Sequence, residues 1–415
     1  MTASSEQNGH ERHGTPGRGI LLLHPSAQAG FLPFRPGRHV LGRNPTSSFP
    51  LEGKAVSWEH AELFCATSEV TIRDLGSTNG VVIDGTPVDL APLFEGAVLR
   101  LGDFVGIVTR HLSPAATNDD LVREAAALGM YVGPVLRQCL EPVRIAGGAA
   151  APTVIEGETG TGKQLTARLL HALCRRRSPF VALDCEGPSA ASLGGTLFGN
   201  AERAGVLAEA QSGTIFLRNL GSMPKEVQVR LAGVLAEGNP NAPALVVGSQ
   251  EPLSTAVGEG RLDPALYRCL DGIKVHLPPL RRRVAEIPAL FRLLLEQLGS
   301  GRVPGRSTEL VERLCLYDWP CNVREMVLLV KRVVALHGDE LRLRTSHLPP
   351  RMLGTGEDTA TAPGTRQDGL DPGRLLAALR DAGGNLGRAA SRLGISRANA
   401  DALIERLGPS PPRAA

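Results

Sequence analysis

TVIEGETGTGK, residues 153–163, is the stretch that decides the fold of the longest part of this chain. Thr153, Val154 and Ile155 are all β-branched, which suits a short buried strand. Three glycines follow, and after them QLTARLLHALCRRR repeats its apolar residues at helical spacing. Strand, glycine loop and helix in this order form the context a phosphate-binding loop requires. Glycines let backbone N–H groups approach an anion, the helix N-terminus favours negative charge, and a lysine reaches the β and γ phosphates. Gly157, Glu158, Thr159, Gly160, Thr161, Gly162, Lys163 and Gln164 are therefore candidate nucleotide-binding residues, for ATP or ADP. The bland alternative is a glycine-rich turn with no ligand.

Working outward, the pattern continues as strand FVALDC, strand TIFLRN, helix KEVQVRLAGVLAEG and strand ALVVGS. Alternation of this kind means a parallel sheet with helices on its faces. This α/β P-loop domain is expected over 128–283, and a mostly helical lid over 284–350. Upstream, residues 19–110 alternate short apolar runs with Gly, Asn and Pro turns, the pattern of an all-β sandwich. A polar tail (1–18) precedes it, and a linker helix (111–127) follows it. Downstream lie a flexible linker (351–369), a last all-α unit (370–408) and a short tail (409–415).

Composition limits the functions on offer. In 415 residues, 45 basic side chains nearly match 42 acidic ones, so any nucleic-acid contact must come from a local patch. Seven cysteines show no CxxC pair and no histidine at metal-ligand spacing, which reads as reduced thiols rather than a disulfide framework or a metal site. The start lacks a secretory apolar region and no stretch approaches the length of a membrane span, so a cytoplasmic, unanchored protein is expected.

Three clusters mark the all-β region: LGR (41–43), SWEHA (57–61) and DLGSTNG (74–80). In this order and spacing they resemble the forkhead-associated (FHA) domain. A phosphothreonine carries close to two charges and three acceptor oxygens, so its receptor needs a guanidinium fork and hydroxyl donors on loops at one end of a rigid sandwich. The resemblance implies that Arg43 and Ser57 hold the phosphate, that Thr78 adds a hydroxyl, and that Asn79 bonds the backbone of a phosphothreonine-containing partner protein. His60 and Gly42 would be structural supports. Trp58 stands where the family often has a second arginine, a loss expected to weaken phosphate affinity.

VIEGETGTGKQLTARLLHALCRRRSPFVALDC, LFG, RAGVLAEAQSGTIFL, HLPPLRRRVAEIPAL and YDWPCNVREMVLLVKRVV together resemble the AAA+ domain of sigma-54-dependent transcription activators. In that family ATP hydrolysis by a ring remodels sigma-54 RNA polymerase. The resemblance makes Arg324 the sensor II residue that contacts nucleotide. Several working parts depart from the family. Arg218-Asn219 occupy the place of the paired acids after the Walker B strand, which leaves no carboxylate there for Mg²⁺ or for polarising water. Arg218 could instead pair with a phosphate. Asp263 and Cys269 fall where the family has two trans-acting arginines, with Arg261 and Arg268 as shifted substitutes. Ser249-Gln250 replace a Thr-Asn pair. Only Asn200, Ala201 and Glu202 stand where the family inserts its sigma-54-contacting GAFTGA loop. No catalytic residue is assigned, hydrolysis and sigma-54 contact are expected to be impaired, and a homo-oligomer loses one of its reasons to form.

LLAALRDAGGNLGRAASRLGISRANADALIERLG (375–408) has helix-turn-helix spacing and resembles the Fis-type DNA-binding unit that ends many such activators. Ser396 would cap the recognition helix, with Arg397, Asn399 and Arg406 as its DNA contacts. Asp401 and Glu405 offset two of those cations, so a packing module remains the other reading of this unit. The whole chain then reads as a phosphothreonine-sensing transcription regulator or as a phosphothreonine-dependent scaffold with a pseudo-ATPase body.

Overall fold

The computed structural model describes residues 17–66, 69–110, 119–146, 151–174, 179–239, 242–299, 303–353 and Ala389. The chain splits into compact units: the all-β region belongs to one, and Ser113–Thr359 form the other.

In the all-β unit, β1 (Arg18–His24), β2 (Phe31–Pro33), β3 (Gly37–Gly42), β4 (Phe49–Pro50), β5 (Ala61–Cys65) and β6 (Val70–Asp74) come first. They are followed by β7 (Val81–Ile83), β8 (Thr86–Val88), β9 (Leu90–Pro92), β10 (Val98–Leu101) and β11 (Phe104–Arg110). They form a six-stranded sheet ordered β2-β1-β11-β10-β7-β8 and a five-stranded sheet ordered β4-β3-β5-β6-β9. Period-two burial explains the layering: Ala61, Leu63 and Cys65 of β5 are buried while Phe64 is exposed, and Val70 and Ile72 of β6 are buried beside them. Leu41 pairs with Ala61, and Ala61 with Asp74. This register brings the end of β3, the start of β5 and the end of β6 together, so the loops 43–60 and 75–80 emerge at one end of the sandwich.

In the second unit, α1 (Asp120–Ala127) and α2 (Pro134–Ala146) precede a parallel sheet of β12 (Thr153–Glu156), β13 (Phe180–Asp184), β14 (Thr214–Arg218), β15 (Ala244–Ser249) and β16 (Ile273–His276). Its order is β13-β14-β15-β12-β16. Between strands run α3 (Lys163–Leu173), α4 (Ala190–Phe198), α5 (Val206–Glu209), α6 (Lys225–Glu237), α7 (Leu253–Gly258) and α8 (Pro264–Cys269). Alternate strand residues feed opposite cores. Ile155, Phe216 and Val246 pack with Leu169 and Leu170 of α3. Val154, Ile215, Leu217 and Val247 pack with Leu193, Leu231 and Leu266. Both faces are covered, as a parallel sheet requires. The helical lid holds α9 (Ile287–Leu298), α10 (Thr308–Leu316), α11 (Asn322–His337) and α12 (Pro350–Leu353), with β17 (Gly305–Arg306) paired to β18 (Arg342–Leu343).

The stretch expected to be a linker helix has a different role. Among the described residues it supplies α1, whose Leu121 and Ala125 are fully buried in the cluster that holds Leu169, Leu170 and Phe216. Its apolar stripe is satisfied by α3, so α1 is part of the α/β body. The C-terminal unit at 370–408 lies outside the described residues, apart from Ala389, which is helical and buried.

Candidate functional site

At the end of the sandwich, Arg43, Ser57, Thr78 and Asn79 are brought together. The Arg43 N–H donates to the Ser57 carbonyl (2.9 Å), and the Asn44 N–H to the Trp58 carbonyl (3.0 Å). The Ser57 hydroxyl oxygen accepts from the Thr78 N–H (3.0 Å), and the Asn79 Nδ2 donates to the Ala55 carbonyl (2.7 Å). His60 is fully buried and supports both loops: its Nδ1 accepts from the Ser57 N–H (3.1 Å), so its Nε2 carries the proton to the Gly80 carbonyl (3.1 Å). Burial lowers the pKa of this imidazole, in keeping with that neutral tautomer. Gly42 is required sterically, because a Cβ there would sit 2.2 Å from the Trp58 carbonyl oxygen. Trp58 is 58% exposed beside these loops. The Asn79 contact with Ala55 pins the loop that carries Ser57, a role not legible in the sequence.

In the α/β unit the candidate phosphate loop follows the C-terminal end of β12, on the side where open parallel sheets place their ligands. Gly157, Gly160 and Gly162 have φ of +154°, +80° and +108°, and a Cβ on Gly160 would come within 2.1 Å of the Cys321 carbonyl oxygen. Gly162 precedes the first turn of α3. The Lys163 ammonium donates to the carbonyls of Gly157 (2.6 Å) and Glu158 (3.0 Å). Burial, then the nearby Arg324 guanidinium, push its pKa down to about 8 against a weaker pull from Glu158. The expected sensor residue Arg324 lies against the same loop, its Cβ 3.1 Å from where a Cβ on Gly160 would sit. Thr159 Oγ1 donates to Gln250 Oε1 (3.0 Å), and the Gly157 N–H to the Ser249 carbonyl (3.1 Å), so Ser249 and Gln250, the expected sensor I pair, contact the loop.

Arg218 has a partner inside the chain. β13 and β14 run parallel with Asp184 beside Arg218, and Arg218 Nη2 lies 2.9 Å from Asp184 Oδ2. Asn219, with φ of +55°, donates from Nδ2 to Asp184 Oδ1 (3.0 Å) and to Glu186 Oε2 (3.1 Å). Asp184 therefore pairs with both Arg218 and Asn219. Its position within FVALDC gave no sign of this, because the pairing depends on strand register.

The residues at the expected arginine positions have local duties. Asp263 caps α8, accepting from the N–H groups of Ala265 (2.8 Å) and Leu266 (3.1 Å), while its own N–H donates to the buried Gln228 (2.7 Å). The Cys269 thiol is directed at the Ala232 carbonyl (3.9 Å). Arg261 is ion-paired with Glu251 (2.5 Å) and with Glu259. Between α4 and α5 the chain closes tightly: Asn200 Oδ1 accepts from the N–H groups of Glu202 (3.0 Å) and Arg203 (2.9 Å), and Gly199 bridges Ala204. The DNA-contact candidates Ser396, Arg397, Asn399 and Arg406 lie outside the described residues.

The fold and these sites define a class: an FHA-type sandwich in one chain with an AAA+ body and lid. Comparison with known families agrees, matching the FHA domain at residues 39–102, the Sigma-54 interaction domain at 132–276 and the AAA+ ATPase lid domain at 281–364. The transcriptional regulatory protein ZraR of Klebsiella oxytoca is 34% identical over 314 residues, covering 68% of this chain and 70% of that protein. The DNA-binding transcriptional regulator NtrC of Azospirillum brasilense is 33% identical over 269 residues, covering 58% of this chain and 56% of that protein. The chain belongs to the NtrC family of sigma-54-dependent transcriptional regulators. Among solved structures, NtrX from Brucella abortus in complex with ADP aligns with a TM-score of 0.49 at 24% identity, covering 70% of this chain and 71% of that one. Among the described residues no helix is long and apolar enough to cross a membrane.

The strand-end cluster makes a testable statement about stability. Arg218→Asp sets two carboxylates side by side at Asp184 and is expected to cost about 0.5–1 kcal/mol in urea unfolding, a modest effect because the pair is partly exposed. Adding Asp184→Asn is expected to recover most of that loss; equal instability in the single and double variants would contradict the pairing.

Proposed function

We propose that this protein is a phosphothreonine-responsive transcription regulator whose AAA+ body binds ATP or ADP but hydrolyses it weakly or not at all. The observation that carries the reading is the contrast between strand ends of one parallel sheet: a phosphate loop with its glycines and Lys163 intact after β12, and, at the ends of β13 and β14, an Asp184 carboxylate already bonded by Arg218 and Asn219. The glycine geometry, the start of α3 and Lys163 fit a nucleotide's phosphates. A bound nucleotide would supply the phosphoryl chemistry of this family. On the protein's side, Lys163 and Arg324 would neutralise phosphate charge. Positions 218 and 219 offer a cation and an amide, with no carboxylate there to bind Mg²⁺ or to act as a base toward water.

Arg43, Ser57 and Thr78 supply the fork and hydroxyls that a phosphothreonine calls for, from loops anchored by His60 and Asn79. Output through DNA rests on the helix-turn-helix sequence at 375–408 and on the family. The compact turn at 199–205 supports a weak or absent grip on sigma-54 RNA polymerase, and thus a regulator that acts by occupancy rather than by remodelling.

A phosphothreonine peptide is expected to bind the full chain at least tenfold more tightly than its unphosphorylated form by fluorescence anisotropy, with the difference lost in Arg43→Ala. Retained discrimination in that variant would remove Arg43 from the site. The depressed Lys163 pKa gives a pH test. The ammonium is charged below about pH 8 and lost above it, while the ADP phosphates are already mostly ionised at pH 7 and change little above it. ADP affinity is therefore expected to fall about tenfold between pH 7 and pH 9.5 in wild type, and to be weak and flat in Lys163→Ala. A pH-independent wild-type affinity would contradict a phosphate role for Lys163.

A further inference from the structure

Four consecutive carbonyls of the phosphate loop are engaged, and two of them by the lid. Gly157 and Glu158 turn theirs to Lys163, and Glu158 also accepts from the Thr161 hydroxyl (2.8 Å). The Thr159 carbonyl accepts from Asn322 Nδ2 (2.9 Å), and the Gly160 carbonyl from the Val323 N–H (3.0 Å). Asn322 and Val323 open α11, the helix that carries Arg324. Asn322 is fully buried with φ of +53°, and its Oδ1 accepts from the Leu280 N–H (2.7 Å). One amide side chain thus joins the loop, the lid and the segment between sheet and lid.

The Glu158 side chain completes the junction. Arg281 grips its carboxylate with both terminal nitrogens, Nη1 at 2.7 Å from Oε2 and Nη2 against Oε1, and Asn322 Nδ2 adds a third donor at 3.2 Å. Arg281 is mostly buried, at 19% side-chain exposure. A bidentate guanidinium–carboxylate pair fixes orientation as well as distance. Gly160 lacks a Cβ, and this is what allows the Cys321 carbonyl to rest on the loop.

We infer that Glu158, Arg281 and Asn322 form a latch that holds the phosphate loop to the lid and sets nucleotide affinity by ordering the loop before ligand arrives. The inference rests on the nucleotide reading above and names positioning residues for it; none of the three needs to touch the nucleotide. With loop carbonyls bound to lid and lysine, the loop loses little conformational freedom on binding. Breaking the latch frees loop and lid together, and moves Arg324 with them.

The test uses the full chain with Glu158→Gln, Arg281→Gln and the double variant, read by hydrogen–deuterium exchange and by titration with a fluorescent ADP analogue. In the ligand-free protein, each single variant is expected to speed exchange in the segments 157–163 and 321–325 while leaving β13–β14 unchanged. Each single variant is expected to weaken the ADP analogue about tenfold, and the double to be no weaker than either single within about twofold, since both remove one interaction. Wild-type exchange rates in the variants, or losses that add in the double, would overturn the latch. The exchange arm reads the latch without nucleotide. If wild type fails to bind the analogue while exchange responds as expected, the nucleotide reading fails and the positioning role falls with it, leaving a structural junction only.

Discussion

The phosphate loop between β12 and α3 is held open from behind. Its backbone carbonyls are drawn toward Lys163, Asn322 and Val323, and glycine at 160 is needed because the Cys321 carbonyl occupies the space a side chain would take. The arrangement depends on three elements distant in sequence. β12 sets the loop's start through pairing with β15 and β16, α3 sets its end, and α11 presses on it from the lid. The two buried faces of the sheet exist to hold those elements in place. Val154 and Ile155 point to opposite cores, and each core is closed by helices that follow directly from the apolar spacing.

The strand ends show that fold and chemistry are separable here. Continuous apolar runs carry β13 and β14 up to Leu183 and Leu217, and the next residues, Asp184 and Arg218, are polar and only half-buried. A carboxylate has been placed on β13 as Asp184, with a cation and an amide on β14 as Arg218 and Asn219, and the three close on one another. The net effect is that the Asp184 carboxylate is paired within the chain. Similar local reuse occurs at Asp263, which caps α8, and at Asn200, whose side chain closes the turn between α4 and α5. Each of these polar residues has a partner within the chain, so the fold accommodates them without leaving them unsatisfied.

Sequence alone was sufficient wherever the physics was local. The glycine loop, the β-branched run of β12 and the turn residues around Asn79-Gly80 announce their own backbone geometry. The Asp263 cap is also legible, since an Asp directly before a Pro is a helix-start signal. The stripe of α1 was visible as a helix, yet the surface that buries Leu121 and Ala125 was not. The Asp184 partner of Arg218 is not legible because it lies on another strand, and parallel register is set by the whole sheet. Glu158–Arg281 and Asn322 escaped for the same reason: these contacts join segments far apart in the chain, each of which reads alone as a family motif.

The most direct test of the account measures nucleotide binding and turnover together on the purified full chain. Calorimetric titration with ATP, with and without Mg²⁺, is run beside a phosphate-release assay on the same preparation. The account predicts binding that changes little with Mg²⁺ and phosphate release no faster than in a Lys163→Ala control. Mg²⁺-dependent turnover that disappears in Lys163→Ala would contradict it, and would mean that acids outside positions 218 and 219 serve the reaction.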